Sequence, residues 1–498
     1  MRAGTLKLAF LLVLIWLAMV FAGTAYAIGP GAHVGTTSRN PSVIIDTGTI
    51  INSNFKGFGV EWDPYEPAES SYWTTIYTRL DFMKLSFIRC MNYTQNYTQK
   101  DSSGAPLFKN GKPVYDWNTS TMKTAFNLLD YCKANNIQVT WGDWLDDTRP
   151  FGNLYWYTDP RWSQIVAGAL DYLINTKGYT CIKYYNFGNE PNGWWTQNCP
   201  NLSAYKKSVG LVQTQLNNRG LLQKIKFSGP SAYGPNYTYD PADFYEWLNW
   251  VSSQIPKVFQ SYDFHWYPNS WEVSWGCVRT SMQTKRATLN KMDPNGKYKD
   301  LFVLESGLND YDTSQFWYGV TMADYAAQAM QVGVAGVSVW LLDNAMYCQN
   351  PSWGFWDSRT ESGLEHIMPW FYPWSLLSRL FPRGSVIVST GSDPASGVRV
   401  AAMKIPNGSN FDMTFVVANN SSSPVSLTLT VPSAQGPATL NQYNYFQDDM
   451  PTDENGLPKV ETVLTNVNLS TGVPLNLTGL GVVFLSTLYG GTPVPLSN

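Results

Sequence analysis

Two short segments of the 498-residue chain end an apolar run on a carboxylic acid. The first is Tyr184-Tyr185-Asn186-Phe187-Gly188-Asn189-Glu190-Pro191-Asn192; the second, whose acid comes 115 residues later, is Phe302-Val303-Leu304-Glu305-Ser306. One carboxyl kept protonated and one kept ionised on either side of a bond can protonate a leaving oxygen and attack the carbon it leaves, which is how glycosidic bonds are cleaved. Asn189 adds an amide able to hydrogen-bond a sugar 2-hydroxyl. Other chemically able residues close other apolar runs. Arg89 follows Phe87-Ile88, Trp340 follows Val337-Ser338-Val339, and in His265-Trp266-Tyr267 the first and third residues share one face of an extended chain. Glu61, Trp62, Trp141, Asp143 and Trp194 follow further runs and are candidate substrate contacts. Three histidines (His33, His265, His366) with no His-x-His or His-Glu-x-x-His pattern give no basis for a catalytic metal, and no cofactor is expected.

Positioning these groups requires a scaffold that gathers strand ends. Eight short runs read as strands: Phe55 to Val60, Lys84 to Arg89, Ile137 to Trp141, Ile182 to Asn189, Ile225 to Gly229, Tyr262 to His265, Leu301 to Glu305 and Val337 to Trp340. The spacings between successive strand ends, 29 to 52 residues, each hold one helix with its loops. Eight such units without a hairpin signal predict an α/β fold, a closed (β/α)8 barrel over 56–382, with function at the C-terminal strand ends. The dinucleotide-binding G-x-G-x-x-G follows none of the strands. Beyond Pro382-Arg383-Gly384 alternating strands and turns predict an all-β sandwich over 383–498, and residues 28–55 are expected to add strands to it.

The residues at those strand ends resemble a clan A retaining glycoside hydrolase. Such enzymes end their fourth strand in Asn-Glu and their seventh in Glu; the resemblance assigns acid/base to Glu190 and nucleophile to Glu305. It further implies that Tyr267 hydrogen-bonds the nucleophile, that His265 lines the same subsite, that Arg89 keeps the nucleophile ionised, and that Trp340 is a platform under the sugar. Gly57-Phe58-Gly59, Gly229-Pro230 and a flanking sandwich built from both termini are more similar to families 30, 39, 51 and 79 than to plain-barrel cellulases, with family 39 the first choice. Strand three lacks the usual His, and strand eight reads Trp340-Leu341-Leu342-Asp343; both departures bear on the substrate.

Composition bounds the partner. Aromatic residues make up 15% of the chain against 14% charged, which excludes intrinsic disorder, and a net charge of −3 without a basic run argues against nucleic acid. Eleven of the 21 tryptophans lie at or just after predicted strand ends, Trp144, Trp271 and Trp275 included, as suits stacking on sugar rings of a polysaccharide or oligosaccharide. Arg2 and Lys7, the apolar run Leu8 to Phe21 and Ala25-Tyr26-Ala27 read as a signal peptide over 1–27. A secreted protein is therefore expected, with no membrane contact once that segment is removed. Six cysteines without a Cys-x-x-Cys pair suggest disulfides, Cys181 with Cys199 being the nearest pairing. Two rival readings use the same residues: a secreted carbohydrate-binding protein on a degenerate barrel, and a transglycosylase.

Overall fold

The computed structural model describes residues 41–144, 156–192, 202–234, 241–310, 312–347 and 353–496. The expected signal segment, Trp194 and Cys199 lie outside these residues. Eight parallel strands close a barrel: β1 (Phe58–Glu61), β2 (Phe87–Asn92), β3 (Gln138–Asp143), β4 (Ile182–Asn186), β5 (Lys226–Gly234), β6 (Ser261–Trp266), β7 (Leu301–Ser306) and β8 (Gly336–Val339). β8 pairs with β1 and β5 with β6, so no edge remains open. This is the expected (β/α)8 fold, with boundaries shifted for local reasons. β2 cannot begin at Lys84, because that residue caps the preceding helix in a left-handed conformation (φ 49°). β4 stops at Asn186, because Gly188 (φ 68°) and Glu190 (φ 42°) leave the extended region.

Local chemistry starts the barrel helices. Thr119 Oγ1 accepts from the Met122 N–H at 3.2 Å ahead of the helix Ser120–Ala134. Asp159 caps the helix Pro160–Asp171, whose first residue is a proline that needs no hydrogen-bond acceptor. The helix after β7, Phe316–Met330, is buried along almost its whole length because it lies between barrel and sandwich. At Gly319 a Cβ would sit 2.5 Å from the Tyr445 hydroxyl of the sandwich, so only glycine permits this approach. Tyr445 uses the space to donate to the Phe316 carbonyl at 3.0 Å and to stack on the Phe316 ring.

The sandwich has a three-stranded sheet (Ser42–Ile44, Val425–Thr430, Val473–Leu477) and a seven-stranded one. Asp46–Asn52, from the N-terminal side of the barrel, forms one edge of the larger sheet. Alternation divides the larger sheet's side chains. Val400, Phe415, Val417, Val483 and Leu485 pack toward Leu427, Leu429 and Val473 of the smaller sheet. Ala401, Met403, Val416, Ala418, Val482 and Phe484 join the barrel's own hydrophobic core. The strands Ala438–Tyr445 and Thr462–Val467 were not separable in the sequence, because Asn441, Gln442, Asn444 and Thr465 interrupt the apolar pattern. Cys90, Cys132, Cys181 and Cys277 carry free thiols, and burial pushes that of Cys181 up to about 11; no Cys181 disulfide is formed among the described residues.

Candidate active site

Strand periodicity decides what reaches the barrel interior. Phe87 of β2 and Tyr184 of β4 fill the barrel floor with Phe302 and Leu304 of β7, and two residues onward Arg89 and Asn186 share their inward face. Asp263 and His265 stand likewise two apart on β6. On β7 the register shifts: Phe264 pairs with Val303 but His265 with Glu305, so Leu304 has no opposite number and Glu305 stands beside His265. Glu61, Arg89, Asn186, Asp263, His265 and Glu305 are all at most 4% exposed.

The same periodicity corrects three expectations. Trp141 and Asp143 share the outward parity of Val139. Trp141 is therefore packed in the barrel–helix core, and both Asp143 oxygens are engaged by the hydroxyls of Tyr97 (2.6 Å) and Tyr185 (3.1 Å). Trp62, one residue past Glu61, turns outward and meets Tyr131 edge to face. None of the three is brought to the glutamates.

One guanidinium organises the rest. Arg89 Nη1 donates to Glu305 Oε1 and, at 3.0 Å, to Glu61 Oε2; Nη2 donates to Asn189 Oδ1 at 2.8 Å and to Asn186 Oδ1 at 3.3 Å. The other oxygen of Glu305 accepts from the Tyr267 hydroxyl at 3.0 Å. Asn186 is held from below, its Nδ2 donating to Ser231 Oγ and to Asp263 Oδ2, while Asp263 also accepts from the hydroxyls of Ser228 and Ser231. Asn186, Ser228, Ser231 and Asp263 were not singled out in the sequence. Polar residues at 186 and 263, on the face shared with the barrel floor, were the available signal.

Glu190 reaches the site from a turn. Gly188 and Glu190 both have positive φ, a conformation glycine adopts freely and glutamate rarely, and the Glu190 N–H is fixed by the Ser231 carbonyl at 3.1 Å. Strain of this kind is retained where surroundings over-determine it, as at functional sites. His265 Nδ1 lies 2.9 Å from Glu190 Oε1 and 3.4 Å from Glu305 Oε2, and these two carboxyl partners assign the ring proton to Nδ1. Burial and then the Arg89 charge hold the imidazole well below its ordinary pKa, so it is neutral. One atom each of Glu190, His265 and Glu305 lie within 4.8 Å of one another, the one set among the described residues that could offer three ligands to a cation.

Charge here is scarce for the number of carboxyls. Burial raises Glu305 to about 7 against the opposing pull of Arg89, raises Asp63 to about 7, and raises Glu61 well above the carboxylate range. At Glu305 desolvation outweighs the pull of one guanidinium shared among several acids. Arg89 itself, although disfavoured by burial, is held charged by Glu61 and Glu305.

Rings wall the mouth above. Trp340 is nearly buried and meets Trp144 (6.1 Å) and Tyr347 (5.2 Å) edge to face; the Trp340–Leu341 peptide is cis. Tyr93 stacks on Trp144, and Trp353 meets Tyr267. Tyr347 lies close enough to both glutamates for their charges, after burial, to raise its phenol. Tyr93 and Tyr347 were missed in the sequence, being tyrosines in loops rather than at strand ends. A neutral His, two buried glutamates and flat rings can bind a sugar, protonate the oxygen leaving its anomeric carbon and attack that carbon from the opposite face.

No protein-family model and no curated protein matches the chain. Solved structures do. A monomeric β-xylosidase from Caulobacter crescentus is similar with a TM-score of 0.60 at 14% identity, over 92% of this chain and 100% of that one. A family 30 subfamily 8 xylanase from Clostridium acetobutylicum scores 0.60 at 13% identity, over 89% and 99%. A glycoside hydrolase family 39 enzyme from Xanthomonas axonopodis pv. citri scores 0.57 at 17% identity, over 90% and 97%. Coverage of this extent takes in barrel and sandwich together, and at such identities the shared property is the fold.

Proposed function

We propose that this chain is a secreted retaining glycoside hydrolase that cleaves β-type bonds of plant or microbial polysaccharide or oligosaccharide by double displacement. The observation carrying the reading is the approach of Glu190, His265 and Glu305 atoms to within 4.8 Å of one another. Retaining enzymes hold their two carboxyls about 5 to 5.5 Å apart and inverting ones about 6.5 to 9.5 Å, leaving room for a water. Glu305, presented by Arg89 and Tyr267, attacks the anomeric carbon while Glu190 protonates the leaving oxygen; Glu190 then takes a proton from the water that releases the sugar. Arg89 orients the Asn189 amide by occupying Oδ1, which makes Nδ2 the end that donates to the sugar 2-hydroxyl. Trp340 lies under the ring as it develops charge.

The similar structures named xylanase and β-xylosidase support a β-linked pentose glycan as substrate. Export rests on the sequence of residues 1–27. The test replaces Glu305 by Gly and supplies azide. The expected outcome is loss of hydrolysis with recovery of turnover as a glycosyl azide of inverted configuration; recovery of none, with the protein folded, counts against Glu305 as nucleophile.

A further inference from the structure

Trp271 and Trp275 are the two tryptophans exposed among the described residues, at 42% and 74%, and their rings meet at 4.9 Å with planes 67° apart. An indole left in water forgoes the burial that drives folding, and exposed apolar pairs rimmed by polar groups mark binding surfaces. The short helix Ser270–Ser274, which carries Trp271 and is capped by Trp275, follows closely on the segment His265–Tyr267 at the end of β6, so it stands on the face that carries the glutamates. Trp271 stands four positions after Tyr267, which limits their Cα atoms to about 15 Å at roughly 3.8 Å per residue. A few sugar rings of a chain leaving the cleft span that distance.

The helix is held from three sides. Glu272 Oε2 accepts from the Asn269 N–H at 2.7 Å, Asp310 after β7 accepts the Ser270 N–H at 2.8 Å and its hydroxyl, and Gln328 Nε2 of a barrel helix donates to the Val273 carbonyl at 2.7 Å. From the sandwich, Arg399 Nη2 donates to the Ser274 carbonyl at 3.0 Å. The indoles are thus presented on fixed backbone, which lowers the entropy lost on binding. No Lys or Arg lies on the helix itself; Ser270 and Ser274 begin and end it, Asn269 and Asp310 stand beside it and its Glu272 is buried, so the two indoles are edged with hydrogen-bonding groups.

We propose that Trp271 and Trp275 form a remote subsite that stacks a neutral polysaccharide chain running out of the catalytic cleft, so that the enzyme grips a polymer beyond the bond it cuts. This deepens the hydrolase reading and rests on it.

Affinity electrophoresis through gels containing soluble xylan, mixed-linkage β-glucan, galactomannan or galactan compares the native chain with the pair Trp271→Ala/Trp275→Ala. At least one polymer is expected to retard the native chain, with that retardation lost in the pair. The ratio of kcat/KM on that polymer to kcat/KM on a 4-nitrophenyl β-glycoside should fall about ten-fold, the sum expected of two stacking contacts. The double Phe variant should recover part of it. Retardation lost by the pair while the native chain hydrolyses no glycoside would sink the hydrolase reading and leave the subsite standing. Retardation by none of the four polymers, or an unchanged ratio in an active enzyme, overturns the subsite. A concentration-dependent dimer abolished by the pair, with polymer retardation intact, assigns the surface to a second copy and also overturns it.

Discussion

The larger sandwich sheet and the mouth of the barrel both bury their side chains, yet they bury opposite things. The sheet buries aliphatic and aromatic side chains on each face, Val400, Phe415 and Val417 toward the smaller sheet and Ala401, Val416 and Phe484 toward the barrel. The mouth buries Glu61, Arg89, Asp263, His265 and Glu305 within a few hydrogen bonds of one another. Removing a charge from water costs several kcal/mol even after relaxation, so an assembly of this kind detracts from stability unless every partner is in place. The sheet therefore supplies stability and holds the barrel's shape, and the mouth uses that surplus to keep charged groups fixed without solvent.

Substitutions in the two regions should separate these contributions. The largest effect is expected from Arg89→Met, which leaves Glu61 and Glu305 without their shared cation. Stability should drop by about 3 to 5 kcal/mol and kcat/KM by roughly a hundred- to a thousand-fold, read by denaturant melts and steady-state kinetics. A folded, fully active Arg89→Met protein would erase the distinction between mouth and sheet.

Asp263→Asn should be milder and more informative. The new amide nitrogen meets either the Asn186 Nδ2 and Ser228 hydroxyl donors or the Ser231 hydroxyl donor, and Asn186 can relieve the first by turning its carbonyl away from Arg89. In the proposed mechanism Glu305 attacks as the carboxylate, so its value of about 7 predicts an acid limb of the native kcat/KM profile near neutrality. Activity is lost as pH falls through that value. With Arg89 less well held, the carboxylate is less stabilised, so the limb should move to higher pH and kcat/KM fall roughly ten- to a hundred-fold. An unshifted limb would mean that Asp263 only supports packing.

The smallest effect on catalysis should come from Leu429→Ala, in the core between the two sandwich sheets. Roughly 2 to 5 kcal/mol of stability is lost there, while kcat/KM and its pH profile, measured well below melting, stay those of the native chain.

Much of the barrel was legible because parallel strands buried on both sides read as apolar runs, and Glu190, Arg89, His265, Tyr267, Glu305 and Trp340 could be placed by standing at their ends. Side-chain parity was harder. Trp141 and Asp143 were taken as mouth residues from their place at a strand end, whereas the alternation from Val139 turns both outward. The register shift beside Leu304 has no local sequence signature, since it depends on how β6 and β7 pair across separate segments. The polar support under Arg89 was illegible for a similar reason: Ser231, Asp263 and Asn186 come from three strands and acquire meaning only when closure of the barrel joins them. The Glu305 value depended on counting acids around one cation, a spatial fact.

Double displacement by Glu190 and Glu305, as proposed, requires the first product to keep the configuration of the bond that is cut. Proton NMR during early hydrolysis of a β-linked oligosaccharide, before mutarotation, should show the β-anomer of the released reducing sugar appearing first. An α-anomer appearing first would mean a single inverting displacement, with no glycosyl intermediate on Glu305.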